Sequence, residues 1–160
     1  MNESKKIIEI IEPSNKVFKL YDYFESKIKH LLPEVNVRLI GSFAVPMCGK
    51  KEIDILIETK NVEETQEKLK EIGFSKGPII KEEGFSINRQ KELVCELHIV
   101  PFNHKIISKV YDKTINALKE NKKLRKEYEK LKRSLNGKEE SEYKKAKHEF
   151  LAKNIFNQNI

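Results

Sequence analysis

Two short alternating runs joined at Gly41-Ser42 constrain the fold of this chain more than any other stretch. Residues 35–40 alternate with period two, and Ile53, Ile55 and Ile57 alternate again after the turn. Alternation of this length predicts strands with one buried face, so Gly41-Ser42 should join two strands of a sheet. The same period places Glu52 and Asp54 together on one face of the second strand. A backbone turn suited to phosphate therefore stands beside two acids suited to a divalent cation.

The remaining pattern divides the chain in two. Lys6 to Ile11 reads as a first strand or a helical turn, ended by Pro13-Ser14-Asn15, which offers a helix cap. Val17, Leu20, Tyr21, Phe24, Ile28, Leu31 and Leu32 recur at spacings of three and four and predict an amphipathic helix that stops before Pro33. Asn61 with Glu64 resembles a capping box for a crossover helix through Leu69 and Ile72, and Gly73 suits a left-handed C-terminal position. Residues 77–80 and 85–88 read as a hairpin, and 93–100 as a stronger strand closed by Pro101. From His104 the strand signal disappears. Ile106, Ile107, Val110, Tyr111, Thr114, Ile115 and Leu118 mark one helix; Leu124, Tyr128, Leu131 and Leu135 a second; Tyr143, Ala146, Phe150 and Leu151 a third, with Asn136-Gly137 between the last two. The expected organisation is an α/β front, residues 1–103, and an all-helical back, residues 104–160, whose apolar stripes pack on the front.

Length and composition bound the class. The 160 residues fit one domain, or one with a helical appendage, and 38% hydrophobic with 36% charged residues describes a globular chain rather than a disordered one. No apolar stretch approaches the roughly 18 residues of a membrane span, and residues 1–15 lack a signal-peptide pattern, so no membrane is expected and the cytoplasm is the expected setting. Cys48 and Cys95 have no metal-type spacing, and each reads as a small buried apolar residue. The net charge of +7 is uneven: residues 1–103 carry 16 Lys and Arg against 17 Asp and Glu, whereas residues 104–160 carry 16 against 8. A basic back half suits an anionic partner, nucleic acid or a nucleotide polyphosphate, although solvated helix faces are also Lys-rich.

In residues 93–100 the even positions Val94, Glu96, His98 and Val100 share one face. If this strand lies beside the one carrying Glu52 and Asp54, Glu96 becomes a third acid. Three crowded carboxylates repel one another unless a cation neutralises them, and oxygen ligands of this kind suit Mg2+ or Mn2+. A solvated strand face accounts for Glu96 equally, and Lys50-Lys51-Glu52 is also readable as an exposed run. His98 is either a phosphate or metal ligand or a hydrogen-bonded core histidine. Arg38, just before the turn, is either a phosphate donor fork or half of a salt bridge.

An apolar residue, Gly-Ser, a spacer, acid, apolar residue, acid, and a further acid on a later strand resemble the nucleotidyltransferase superfamily, whose best-known fold is the DNA polymerase β palm. The ordered set Gly41 to Pro46, Ile53 to Ile55, Leu97 to Val100, Tyr128 with Leu131, Lys132 and Leu135, and Tyr143 with Lys147 and Phe150 is similar to the GrpB family, a branch of that superfamily with a helical C-terminal half. The resemblance covers about residues 35–155. It implies an α+β fold, a mixed sheet with flanking helices followed by about three C-terminal helices. It also implies that Gly41 and Ser42 hold phosphate, that Glu52 and Asp54 bind the metal, and that Glu96 is a ligand or base. Lys132 and Lys147 match family positions and would line the cleft against a triphosphate or RNA. The chain departs from the pattern at three places: the stretch from Pro46 to Asp54 is one residue shorter and carries Glu52 where Pro or Ile is usual. Glu96 replaces the first His of a His-Leu-His element, and Ile115-Asn116 stands for an Arg-Asp pair.

The function expected is a metal-dependent nucleotidyltransferase-like protein that binds a nucleoside triphosphate and transfers a nucleotidyl group to an acceptor, RNA or another anion. Two other classes fit the same residues: a non-catalytic nucleotide- or RNA-binding module, and an interaction partner that docks through its helical half.

Overall fold

The computed structural model describes residues 6–156. Lys6 to Ile11 takes the extended option, ending in a two-residue strand β1 (Ile10–Ile11). Helix α1 (Asn15–Leu31) follows, ending two residues before Pro33. Strand β2 (Asn36–Ile40) leads into Gly41 and a three-residue 3-10 turn, Ser42–Ala44. Strand β3 (Gly49–Lys50) pairs with β1, and β4 (Glu52–Thr59) carries the alternating isoleucines. In α2 (Val62–Leu69) the capping reading holds: the Asn61 side chain accepts a hydrogen bond from the Glu64 amide at 3.0 Å. A 3-10 turn carries the chain to Gly73, left-handed at φ 93°. Strands β5 (Ser75–Ile80) and β6 (Glu83–Arg89) form the expected hairpin, and β7 (Val94–Pro101) is the last strand.

The main sheet has the order β2-β4-β7-β6-β5, with β4 and β7 parallel and every other pair antiparallel. The β4–β7 register sets Asp54 opposite Glu96 and Leu56 opposite His98. One face carries Ile53, Ile55, Ile57, Cys95, Leu97 and Ile99, buried against Phe24 and Ile28 of α1 and Leu69 of α2. Each such aliphatic side chain contributes about 1.5–3 kcal/mol by leaving water. The other face carries Ile40, Leu56 and Val100, packed against Ile115. The acids alternate onto this second face, so the helical half determines what covers them.

That half has the three expected helices, with one irregularity. A π-helical stretch, Ile107–Asp112, precedes α3 (Lys113–Glu120), followed by α4 (Lys122–Ser134) and α5 (Glu140–Asn154). Leu118, Tyr128 and Ile155 bury themselves with Val45 and Met47 from the chain just after the 3-10 turn, and Tyr128 stacks on Phe150 at 4.8 Å. The N-terminal segment is stitched to the α4–α5 connection: the amides of Ile8 and Gly137 bond Lys138 O and Ile8 O at 2.9 and 3.0 Å, and Glu140 N bonds Lys6 O at 2.8 Å. Cys48 and Cys95 are free and buried. Among the described residues no helix is long and apolar enough to cross a membrane. The outer ends of the two expected units, residues 1–5 and 157–160, lie outside the described residues.

Candidate active site

Gly41, Ser42, Glu52, Asp54, Glu96, His98 and Lys147 line one cleft of about 610 Å³ between the second face of the sheet and the C-terminal helices. Gly41 sits at φ 76°, ψ −161°, a region essentially reserved for glycine. A Cβ there would lie 2.7 Å from Asp54 Oδ2, so the turn and the acid are in direct apposition. Gly49 makes the same kind of approach, since a Cβ on it would meet Ser42 Oγ at 2.7 Å. The turn is thus held against β4 on one side and β3 on the other.

Lys132 supports it from behind. Its ammonium donates to Ser42 Oγ at 2.5 Å and to Cys48 O at 3.1 Å, and stands 4.3 Å from the Tyr128 ring centroid. Only 1% of the residue is exposed, and burial followed by the charge of Lys147 lowers its pKa to about 7. Lys132 is therefore a buried strut under the turn, not a cation on the cleft wall. Lys147 does line the cleft. The protein crowded around it lowers its pKa, but its side chain remains open to water, which screens that effect. Arg38 stands apart, with its guanidinium bound to Asp112 at 2.5 Å, which is the salt-bridge option.

The acids converge, with Glu52 and Asp54 engaged differently. Asp54, Glu96 and His98 each present one donor atom, all within 4.8 Å of one another. Glu52 hydrogen-bonds Glu96 and lies 3.4 Å from Lys50. Burial, followed by the hydrogen bond and charge of Glu52, raises the pKa of Glu96 to about 7. Burial opposes ionisation of Glu52 too, but the Glu96 hydrogen bond and Lys50 prevail and lower its pKa. Burial disfavours the His98 imidazolium, yet its bonds to Asp54 and Glu83 outweigh this and raise its pKa to about 10. The donor set fits a divalent cation: two carboxylates and an imidazole within ligand reach, with a carboxylate repulsion that such a charge would relieve.

Sequence patterns did not single out three contributors. Tyr111 lies within the apolar stripe before α3, but the π-helical turn brings its hydroxyl to 3.2 Å from His98 Nδ1. Glu83, at the start of β6, is buried and accepts the Tyr111 hydroxyl proton. Lys50 pairs with Glu52 and approaches Glu140 at 3.9 Å, linking β3 to α5. A buried carboxylate beside an aromatic hydroxyl leaves no periodic signature. Ile115 is buried against Leu56.

A mixed sheet with a Gly-Ser turn facing acids on two parallel neighbouring strands defines a nucleotidyltransferase-like fold. Solved structures agree: a cytoplasmic RNA terminal U-transferase superposes with a TM-score of 0.52 at 14% identity, over 71% of this chain and 39% of that one. Cid1 poly(U) polymerase with Mg 3'-dATP bound gives 0.52 at 15%, over 71% and 40%. The chain thus spans about two fifths of these enzymes. The chain belongs to the GrpB family, whose profile, described as GrpB protein, matches residues 7–156. The crystal structure of the conserved protein GrpB from Enterococcus faecalis superposes with a TM-score of 0.70 at 22% identity, over 79% of this chain and 81% of that one. No curated protein matches it.

Proposed function

We propose that the protein binds a nucleoside triphosphate with a divalent cation, Mg2+ or Mn2+, and transfers its nucleotidyl group to an acceptor. The observation that carries this reading is the convergence of Asp54, Glu96 and His98 opposite the Gly41-Ser42 turn within one cleft. In this reading Gly41 and Ser42 receive the phosphates, with Lys147 facing them from α5. Asp54 and Glu96 would hold the cation, with Glu52 beside Glu96 and paired with Lys50. The bound cation would neutralise charge developing on the phosphates. The acceptor hydroxyl forms a bond to the α-phosphorus as the bond to pyrophosphate breaks, and the hydroxyl proton passes to the ionised Glu96 carboxylate. A bound cation would hold the Glu96 carboxyl ionised and so able to accept that proton. Arg38 takes no phosphate role because Asp112 occupies its guanidinium. A basic C-terminal half suits RNA or another anionic acceptor, in a cytoplasmic setting.

A second reading, a non-catalytic nucleotide- or RNA-binding module, is favoured by one observation: His98 already bonds Asp54, and Glu52 bonds Glu96, so the acids satisfy one another. Titration of ATP, CTP, GTP and UTP with magnesium, repeated with Asp54→Asn, tests both. Binding that the variant loses by at least tenfold supports a cation-dependent site, and no binding of any of the four nucleotides refutes it. Pyrophosphate release across a panel of acceptors then separates enzyme from module.

A further inference from the structure

The two ring nitrogens of His98 face different groups. Nε2 lies 3.0 Å from Asp54 Oδ1 and 3.6 Å from Glu96 Oε1, on the cleft side. Nδ1 lies 3.2 Å from the Tyr111 hydroxyl and 3.6 Å from Glu83 Oε2, on the side away from the two cleft carboxylates. Tyr111 gives its single hydroxyl proton to Glu83, so toward His98 its oxygen has only a lone pair to offer. The proton of the His98–Tyr111 bond must then sit on Nδ1. In the cation-free protein Nε2 also carries a proton, given to Asp54; a cation would displace that proton and take the Nε2 lone pair, because Nδ1 keeps its own.

The ring has little freedom to turn. Phe85, opposite His98 in the β6–β7 register, contacts it edge-on at 5.4 Å, and Tyr111 contacts it edge-on at 5.6 Å. Glu83 is only 7% exposed, which protects its bond to Tyr111 from water. The two sequence-based readings of His98, ligand and hydrogen-bonded core residue, therefore apply to different nitrogens of the same ring.

We propose that His98 Nε2 is a nitrogen ligand of the cation site, oriented by a Glu83–Tyr111 relay, and that with Asp54 and Glu96 it selects a transition-metal ion such as Mn2+ over Mg2+. This rests on the reading that the cleft holds a divalent cation. Mg2+ is hard, prefers an all-oxygen shell and sheds water reluctantly, whereas imidazole is a good donor to first-row transition ions. Tyr111 and Glu83 are positioning residues, and partners of this kind typically change metal affinity 10–100-fold.

The test is Mn2+ titration of the full chain, with pulsed electron paramagnetic resonance to detect nitrogen coupling in the bound ion. The expected result is one Mn2+ site with imidazole coupling, Mn2+ bound at least tenfold more tightly than Mg2+, and about tenfold weaker Mn2+ binding in Tyr111→Phe. The coupling should vanish in His98→Gln. An Asp54-dependent Mn2+ site without nitrogen coupling overturns this inference and leaves the proposed function standing. No divalent-cation binding overturns both. Unchanged Mn2+ affinity in Tyr111→Phe overturns the relay, and because the coupling is read on the unaltered chain, misfolding of a variant does not obscure the result.

Discussion

Replacing Lys132 with methionine should change how stability depends on pH, and the sign follows from burial. The ammonium has no carboxylate within salt-bridge distance among the described residues, and its pKa falls from 10.5 to about 7. Between those values the unfolded chain binds the proton and the folded chain does not, so stability rises with pH. At about 1.4 kcal/mol per pKa unit, this contribution amounts to on the order of 3 kcal/mol between pH 7 and pH 10. Lys132→Met abolishes that slope but leaves the buried Cys48 carbonyl without its donor, a cost of about 1–3 kcal/mol at every pH. The two effects nearly offset at pH 7, so the variant should unfold there at a urea concentration close to the parent's. At pH 10 only the lost hydrogen bonds remain, and the variant should be the less stable by that amount. Urea unfolding of both proteins across pH 7–10 measures the difference, in which all other titrations cancel. A stability difference constant to within about 0.5 kcal/mol across the range would refute the view of Lys132 as a strained buried cation.

Gly41→Ala combines a backbone region closed to side chains with a Cβ 2.7 Å from Asp54 Oδ2. It should cost about 1–3 kcal/mol in thermal unfolding and weaken Mn2+ binding with it, whereas an unchanged melting temperature and affinity would remove the turn from the site. Glu96→Gln should stabilise the cation-free protein. The folded Glu96 keeps a proton between pH 4.5 and about 7 that the unfolded chain has released, so the parent's stability falls as pH rises through that window. Glutamine removes the fall, on the order of 3 kcal/mol for such a shift and about half that once solvent screening of the partly exposed carboxyl is counted, read at pH 7.5 by urea unfolding with chelator present, and the same variant should bind Mn2+ more weakly. Equal stability of the two proteins at pH 7.5 would mean that Glu52 and Glu96 do not share a proton.

Local features of the fold were legible in the sequence because each leaves a periodic or positional trace. Alternation marked β2, β4 and β7, Asn61 and Glu64 marked the start of α2, and Gly41 marked a turn that no other residue fits. The parallel β4–β7 pairing that sets Asp54 opposite Glu96 appeared only as a condition, because strand order is a long-range property. Lys132 was legible in part. It falls four residues after Tyr128 and three before Leu135, on the stripe that buries both, and that spacing places it inside rather than on the cleft wall. Arg38 could not be decided, since its partner Asp112 is 74 residues away. The Glu83–Tyr111–His98 chain was invisible for the same reason: it joins a hairpin, a π-helical turn and a central strand through side chains alone.

The stitch between the N-terminal segment and the α4–α5 connection bears on how the molecule assembles. Ile10 N reaches Asn136 Oδ1 across 126 residues of sequence, so the bond closes nearly the whole chain into one loop. Contacts of such separation carry the entropy cost of closing a long loop. Once made, they tie the basic helices to β1 and, through β3, to the strand leading into Glu52, coupling both sides of the cleft. Residues from both ends of the chain are thereby hydrogen-bonded to each other, and the cleft takes its lining from the strands on one side and the helices on the other.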